Sequence, residues 1–313
     1  MSEKKDRLSE AAYLTAGHEG TRPAAIDVSP PGYSIHQRLC SGCHAVRYRF
    51  SNALRWSLGE YRELPAGHLL DLTPEQRSRV AVLQRRYGMK FEAHLSAGTA
   101  LRNYDYLDLL DQAWADWDLA RPSHGIVCDA SCANFWYART LGAFFRPKRL
   151  IGVEVDGYRF YHNGHSRWDF ARGYLRELPH AVFEVGDYVE VRQCADVITA
   201  WFPFITSGPL VAWRLPLSLF DPKSLIRAIL SNLNLNGVFV MVNHNQAEAN
   251  IAAALCRAVG LNNAGSTYIK RSIRSRLVSP VISCWRRGTR QRSAQAGLRL
   301  LPSPLTRVLR GNR

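Results

Sequence analysis

Two short apolar runs constrain this chain more than any other feature: Gly125-Ile-Val-Cys-Asp-Ala-Ser-Cys-Ala-Asn134 and Leu150-Ile-Gly-Val-Glu-Val-Asp156. Within them Ile126–Ala130 and Leu150–Val155 are mostly apolar and too short for a helix, so each reads as a buried strand. The first ends at an acid and turns through small residues, Ala130, Ser131 and Ala133, into a helical segment from Asn134 to Phe145. The second ends in acid, at Glu154. Strand, tight turn, helix and second strand make a right-handed βαβ unit, which commits the chain to a mainly parallel sheet.

The alternation continues. Helix is expected over 167–177, strand over 181–186, strand from Ala195 to Thr199 running into Trp201-Phe-Pro-Phe204, and helix from Asp221-Pro222 through Leu233. Gly237 to Val242 reads as a fifth strand and Ala247 to Val259 as a helix closed by Gly260. Two later extended segments, Thr267 to Ile273 and Val281 to Trp285, are placed to close the sheet as an antiparallel pair. The expected fold is α/β: a doubly wound, mainly parallel, seven-stranded sheet over 123–285 with an N-terminal helical extension.

That extension occupies 71–122. Thr73, Pro74 and Gln76 write an N-cap, a first-turn proline and a capping box, and Gly88 closes the helix. A second helix carries Tyr104, Leu107, Leu110, Trp114 and Trp117 at steps of three and four. Its aromatic stripe either packs against the α/β domain or forms a lid over a ligand pocket. Residues 1–70 show little periodicity, are broken by Pro30-Pro31-Gly32, and are expected as a partly ordered arm.

Charge is unevenly distributed. Of 41 basic and 26 acidic residues, 13 basic and no acidic ones lie from Arg257 onward, so the rest of the chain is nearly neutral. The basic, aperiodic segment 286–313 is expected to be a disordered tail suited to weak contact with nucleic acid or an anionic membrane surface. No apolar run is long enough to span a bilayer, so no transmembrane segment is expected. The charged N-terminus has no apolar segment behind it, and seven cysteines in such a chain read as reduced thiols. A cytoplasmic location follows.

The candidate site gathers where a parallel sheet binds ligands, beyond the carboxyl ends of its strands. The turn Asp129–Phe135 lets backbone N–H groups approach a polar ligand, because Ala130, Ser131 and Ala133 are small. Glu154 is placed to accept from ribose hydroxyls, and Asp187, past the third strand, from an adenine amine. Three acids at successive strand ends point to an adenosine-bearing ligand. His162 and His165 follow the second strand and read as solvated loop residues or as lining of the site.

On these motifs the region from Ser123 to Trp285 resembles the class I S-adenosylmethionine-dependent methyltransferases. Their first turn runs acid-x-Gly-x-Gly-x-Gly; here Asp129-Ala-Ser131-Cys-Ala133-Asn-Phe135 keeps the acid and replaces the glycines by serine, alanine and phenylalanine. Gly152-Val-Glu154 matches the second-strand motif, Gly186-Asp187 the third, and Asn236-Gly237-Val-Phe-Val the segment entering strand five. The resemblance implies S-adenosylmethionine as cofactor, bound by Asp129, Ala130, Ser131, Ala133, Glu154 and Asp187, and methyl transfer to an acceptor facing Trp201–Phe204. It implies no particular catalytic base and no metal. A catalytically inactive, methyltransferase-like binding protein is the alternative within the same fold.

A separate motif competes. Cys40-Ser-Gly-Cys43-His44 has the spacing of covalent haem attachment, and with His36 it offers four zinc-type ligands in nine residues. Adjacent Cys43 and His44 suit one tetrahedron poorly, so free thiols are the expected state and metal or haem binding the alternative.

Overall fold

The computed structural model describes residues 32–276 and 278–288. Its centre is a seven-stranded sheet of β1 (Ile126–Asp129), β2 (Arg149–Glu154), β3 (Ala181–Val185), β4 (Ala195–Trp201), β5 (Leu233–Asn243), β6 (Leu261–Tyr268) and β7 (Val281–Arg287). The order is β3-β2-β1-β4-β5-β7-β6, parallel except for β7, which is antiparallel to both β5 and β6. The order reverses beside β1, whose neighbours are β2 and β4, and this opens a crevice at the carboxyl ends of those strands. The doubly wound sheet expected from the sequence is the one found.

The continuous apolar reading of the strands has a simple cause in register. Cys128 lies opposite Ile151 and Ile198, and Ile198 opposite Phe239, forming a row that packs on one helical layer. Val127, Leu150, Val197 and Val238 form the alternate row, buried against the other layer. With helices on both faces, neither side chain parity meets water.

The helices are α1 (Ile35–Leu54), α2 (Pro74–Tyr87), α3 (Ala97–Trp117), α4 (Ala138–Phe145), α5 (Arg167–Leu175), α6 (Ser207–Ala212), α7 (Pro222–Asn232) and α8 (Gln246–Ala258). α2 begins with the foreseen capping box, Thr73 with Gln76, and ends on Gly88 in the left-handed conformation. On α3, Tyr104, Leu107, Leu110 and Trp114 are buried, so the aromatic stripe is core packing against the sheet rather than a lid. Three acids on the same helix, Asp105, Asp108 and Asp111, are also buried, and each meets an arginine.

Three local differences from the sequence reading have physical causes. α4 starts at Ala138 rather than Asn134, because Ala133 and Phe135 take left-handed φ of 52° and 54° and interrupt any helix there. β6 occupies Leu261–Tyr268, starting right after Gly260, rather than Thr267–Ile273. α1 lies inside the segment read as aperiodic; its apolar Ile35, Leu39, Val46 and Phe50 are exposed and Ser51 is its buried residue, so apolar spacing does not follow burial. A capping box of Ser34 and Gln37 starts it.

After α1 the chain runs as a strap across the molecule. Leu58 N–H donates to Asp169 (3.0 Å), Tyr61 N–H donates to the Asp169 carbonyl (3.0 Å), and the Tyr61 ring stacks on Phe170 at 3.9 Å. Gly173 on α5 permits this passage, since a Cβ there would lie 1.8 Å from the Tyr61 carbonyl oxygen. Among the described residues no helix is long and apolar enough to cross a membrane. The basic segment read as a tail falls at 289–313, outside the described residues, apart from its first three positions.

Candidate functional site

The turn after β1 retains the backbone that glycines favour without the glycines. Ala133 and Phe135 stand where the resembling family has glycine, and both have positive φ. An L-residue pays roughly 1–2 kcal/mol for that conformation, and such strain persists only where surrounding contacts over-determine it. Those contacts are visible. Ala130 N–H donates to the Thr199 carbonyl (2.8 Å), Cys132 N–H to the Val153 carbonyl (3.1 Å), and Ala133 N–H to Glu154 Oε2 (2.9 Å). Phe135 is fully buried, with its ring against Gly152, where any Cβ would lie 2.6 Å from it.

The structure brings the expected residues together. Asp129 ends β1 with no exposure; Thr199 Oγ1 donates to one oxygen (2.5 Å), while Tyr137 OH (3.1 Å) and Ser131 N–H (3.3 Å) donate to the other. Burial pushes its pKa up to about 7, against the lowering pull of those hydrogen bonds. Glu154 ends β2 and is held by Ala133 N–H, Asp156 N–H (3.0 Å) and Arg167 Nη1 (2.6 Å). Three of about four acceptor positions on its carboxylate are therefore in use. Asp187 follows β3, is half-buried, and accepts from Val189 N–H with one oxygen (3.0 Å). Gly186 N–H donates to the Glu154 carbonyl (3.0 Å), which ties the β3 exit to the β2 exit.

At the carboxyl ends of β1, β4 and β5, polar atoms are buried without protein partners among the described residues. Asn243, last in β5 and fully buried, has neither its amide nitrogen nor its oxygen hydrogen-bonded within the described residues. Ser131 Oγ in the turn and Trp201 Nε1 at the end of β4 share that condition. Buried polar groups in folded proteins are overwhelmingly satisfied by protein, water or ligand. Three such residues lie at the ends of β1, β4 and β5, on both sides of the strand-order reversal.

The loop Trp201–Phe204 lies against α3. Trp201 stacks on Tyr106 at 4.1 Å and 12°, and Phe202, in the left-handed region at φ 53°, sits 4.3 Å from the His244 ring. His244 Nδ1 lies 3.1 Å from Glu248 Oε2. His165 Nδ1 is 3.1 Å from the Gly59 carbonyl, so this histidine anchors the strap; His162 is exposed.

Sequence reasoning missed what covers the acids. α1 lies over the carboxyl ends of β2 and β3, where Tyr48 comes within the electrostatic reach of Asp156, Asp187 and Glu154; burial and those charges raise its pKa. Arg47 Nη2 donates to the Arg214 carbonyl (2.6 Å) and Arg159 Nη1 to the Trp213 carbonyl (2.6 Å). The only signal in the sequence was the Ser34 capping box, which locates the helix but not its destination. The haem-like pentapeptide is part of this helix. Cys40 Sγ lies 3.6 Å from His36 Nε2, Cys43 is exposed, and His44 is turned towards the 213–217 loop. No group of three or more metal-type ligands converges among the described residues.

No family model matches this chain, and no curated protein matches it. Among solved structures it is similar to the N-methyltransferase NodS from Bradyrhizobium japonicum in complex with S-adenosyl-L-homocysteine (13% identity, TM-score 0.44, covering 66% of this chain and 97% of that one). It is also similar to the Bacillus subtilis tRNA methyltransferase TrmK (12%, 0.40, 60% and 67%) and to Trm5b from Pyrococcus abyssi (11%, 0.39, 57% and 49%). The chain spans about half the length of the Trm5b structure. The sheet order and the antiparallel seventh strand make the chain a doubly wound, seven-stranded α/β fold.

Proposed function

We propose that this chain binds S-adenosylmethionine at the carboxyl ends of β1–β3 and transfers its methyl group to an acceptor lodged beside β4 and β5. The observation that carries this reading is Asn243: a fully buried amide with no protein partner, at the switch-point end of the sheet. The residues present fit the cofactor. Glu154 keeps one acceptor position for a ribose hydroxyl, Asp187 keeps one carboxylate oxygen for an adenine amine, and Ser131 Oγ is an unused hydrogen-bonding group at the turn. Asp129, with no exposure, and Ala130 and Ala133, whose N–H groups are already paired, hold the turn's shape.

The cofactor supplies a methyl group already activated on sulfonium. The chain's share is therefore placement and proton management. Trp201, Phe202 and Tyr106 wall the acceptor side with aromatic rings and exclude water. The acceptor's proton would pass to His244, whose Nδ1 is oriented by Glu248, so that the histidine acts as general base. The same reading sets the protein in the cytoplasm and gives the basic 286–313 segment weak contact with nucleic acid or an anionic membrane surface.

Calorimetric titration of the full chain with S-adenosylhomocysteine tests the reading. Saturable binding is expected, and Asn243→Leu should weaken it by about 1–3 kcal/mol. Absence of binding to the folded wild-type chain sinks the proposal. A second reading, binding without catalysis, is favoured by the prior engagement of Glu154 with Arg167. Transfer of labelled methyl to a cell extract, reduced in His244→Gln, decides between the two.

A further inference from the structure

Between α1, the loop after β2 and the loop after α6, four guanidinium groups face two carboxylates. Arg167 is 3% exposed and pairs with Glu154 at 2.6 Å, its plane lying 5.2 Å from the Trp213 ring. Arg47 and Arg159 approach the same oxygen of Asp156 at 3.9 Å and 3.8 Å, longer than hydrogen-bonding contact. Arg214, exposed, contributes the fourth positive charge, felt by Arg47 and by His44. Two positive charges remain in excess.

The donors are unspent as well. Arg47 Nε, Arg167 Nε and His44 Nδ1 are buried and hydrogen-bonded to nothing among the described residues, and the one acceptor nearest them, Asp156 Oδ2, 1% exposed, stands back at 3.8–3.9 Å from Arg159 and Arg47. Arginine forks held in place by backbone are costly unless something negative completes them. Here the holding is explicit: the successive carbonyls of Trp213 and Arg214 fix Arg159 and Arg47. Burial first, with the neighbouring guanidiniums, pushes Arg159 down to about 10 and lowers Arg47 and His44, and the pull of Asp156 on the two arginines does not offset it.

We propose that this cluster is an oxyanion site, taking inorganic phosphate or the phosphate group of a small ligand between α1 and the β2 end. Arg47, Arg159 and Arg167 would donate to it, since guanidinium forks match the spacing of phosphate oxygens. The enclosure of Arg167 and Asp156 beneath α1 selects a small ligand over a polymer backbone. The site adjoins the adenosine position but does not depend on the methyl-transfer reading.

Titration of the full chain with inorganic phosphate in a chloride buffer tests it. The expected result is saturable binding, weakened at least about tenfold in Arg159→Gln, with a phosphate-dependent rise in unfolding midpoint. Arg47→Gln guards against a folding defect, because its side chain is 36% exposed. In chloride its midpoint should equal or exceed that of the wild type, while the phosphate-dependent rise disappears. The proposal is overturned if the wild type shows no saturable phosphate binding, or if Arg47→Gln keeps the phosphate rise. It is equally overturned if a single-stranded oligonucleotide binds where phosphate does not. A separate titration with S-adenosylhomocysteine reports on the methyl-transfer reading alone.

Discussion

Two arginine-rich regions of this protein are built on opposite principles. On the α2–α3 face, Arg79 donates to Asp108 and to Asp111 (2.8 Å), Arg86 to Asp111 (2.6 Å), and Arg276 to Asp105, while Tyr87 OH adds a bond to Asp111 (2.6 Å). Three cations meet three anions. Around Glu154 and Asp156, four cations meet two anions, and two of the contacts stand off at 3.8 and 3.9 Å. The contrast separates structural from functional electrostatics. A region serving only the fold completes its own pairs, because an uncompensated buried charge costs several kcal/mol. A region serving a ligand leaves the completion to that ligand.

The largest expected effect breaks the balanced side. Asp105→Ala removes the fully buried carboxylate facing Arg276, which is only 14% exposed, and should cost about 3 kcal/mol in denaturant unfolding. A loss below ~1 kcal/mol would mean that the α3 acids are not what holds this face.

The next prediction uses pH to expose the site's strain. Asp129 has its pKa raised to about 7 in the folded chain, mainly by burial, and Asp108 to about 6 for the same leading reason. Both lie above their unfolded value, so between about pH 4 and 7 the folded state binds more protons and stability falls as pH rises. Asp129→Asn should flatten this slope, with a gain on the order of 2 kcal/mol above pH 7 relative to wild type. An unchanged slope would show that Asp129 ionises freely. Asp111 behaves oppositely: burial would raise it, but the bonds from Tyr87, Arg86 and Arg79 outweigh burial and hold it low.

The smallest effect sharpens the picture of the turn. Ala133→Gly should stabilise by about 0.5–1 kcal/mol, since glycine takes φ of 52° without steric cost but loses more entropy on folding. Destabilisation instead would mean that the Ala133 methyl packs usefully against its surroundings.

Much of the architecture was readable from residue order. The strands show as apolar runs because both faces are buried. The α2 cap is written in Thr73, Pro74 and Gln76, and the clustering of Asp129, Glu154 and Asp187 follows from three strand ends lying side by side. The state of that cluster was not readable. Arg167 is next to Ser166 in a helix start, and nothing local says that its guanidinium reaches back to Glu154. Asp105, Asp108 and Asp111 look like the solvated side of an amphipathic helix until α2 and the 271–276 segment cover them.

Sequence alone therefore determined the doubly wound sheet and where its crevice opens, because periodicity and turn chemistry are local properties that survive any packing. Only the tertiary structure decided that α1 lies over the ends of β2 and β3 and that non-glycine residues hold a glycine-type turn. It alone also decided that positive charge accumulates in excess beside Glu154 and Asp156. These depend on contacts between residues far apart in the chain, such as Arg47 with Arg214, and no short window of sequence carries them.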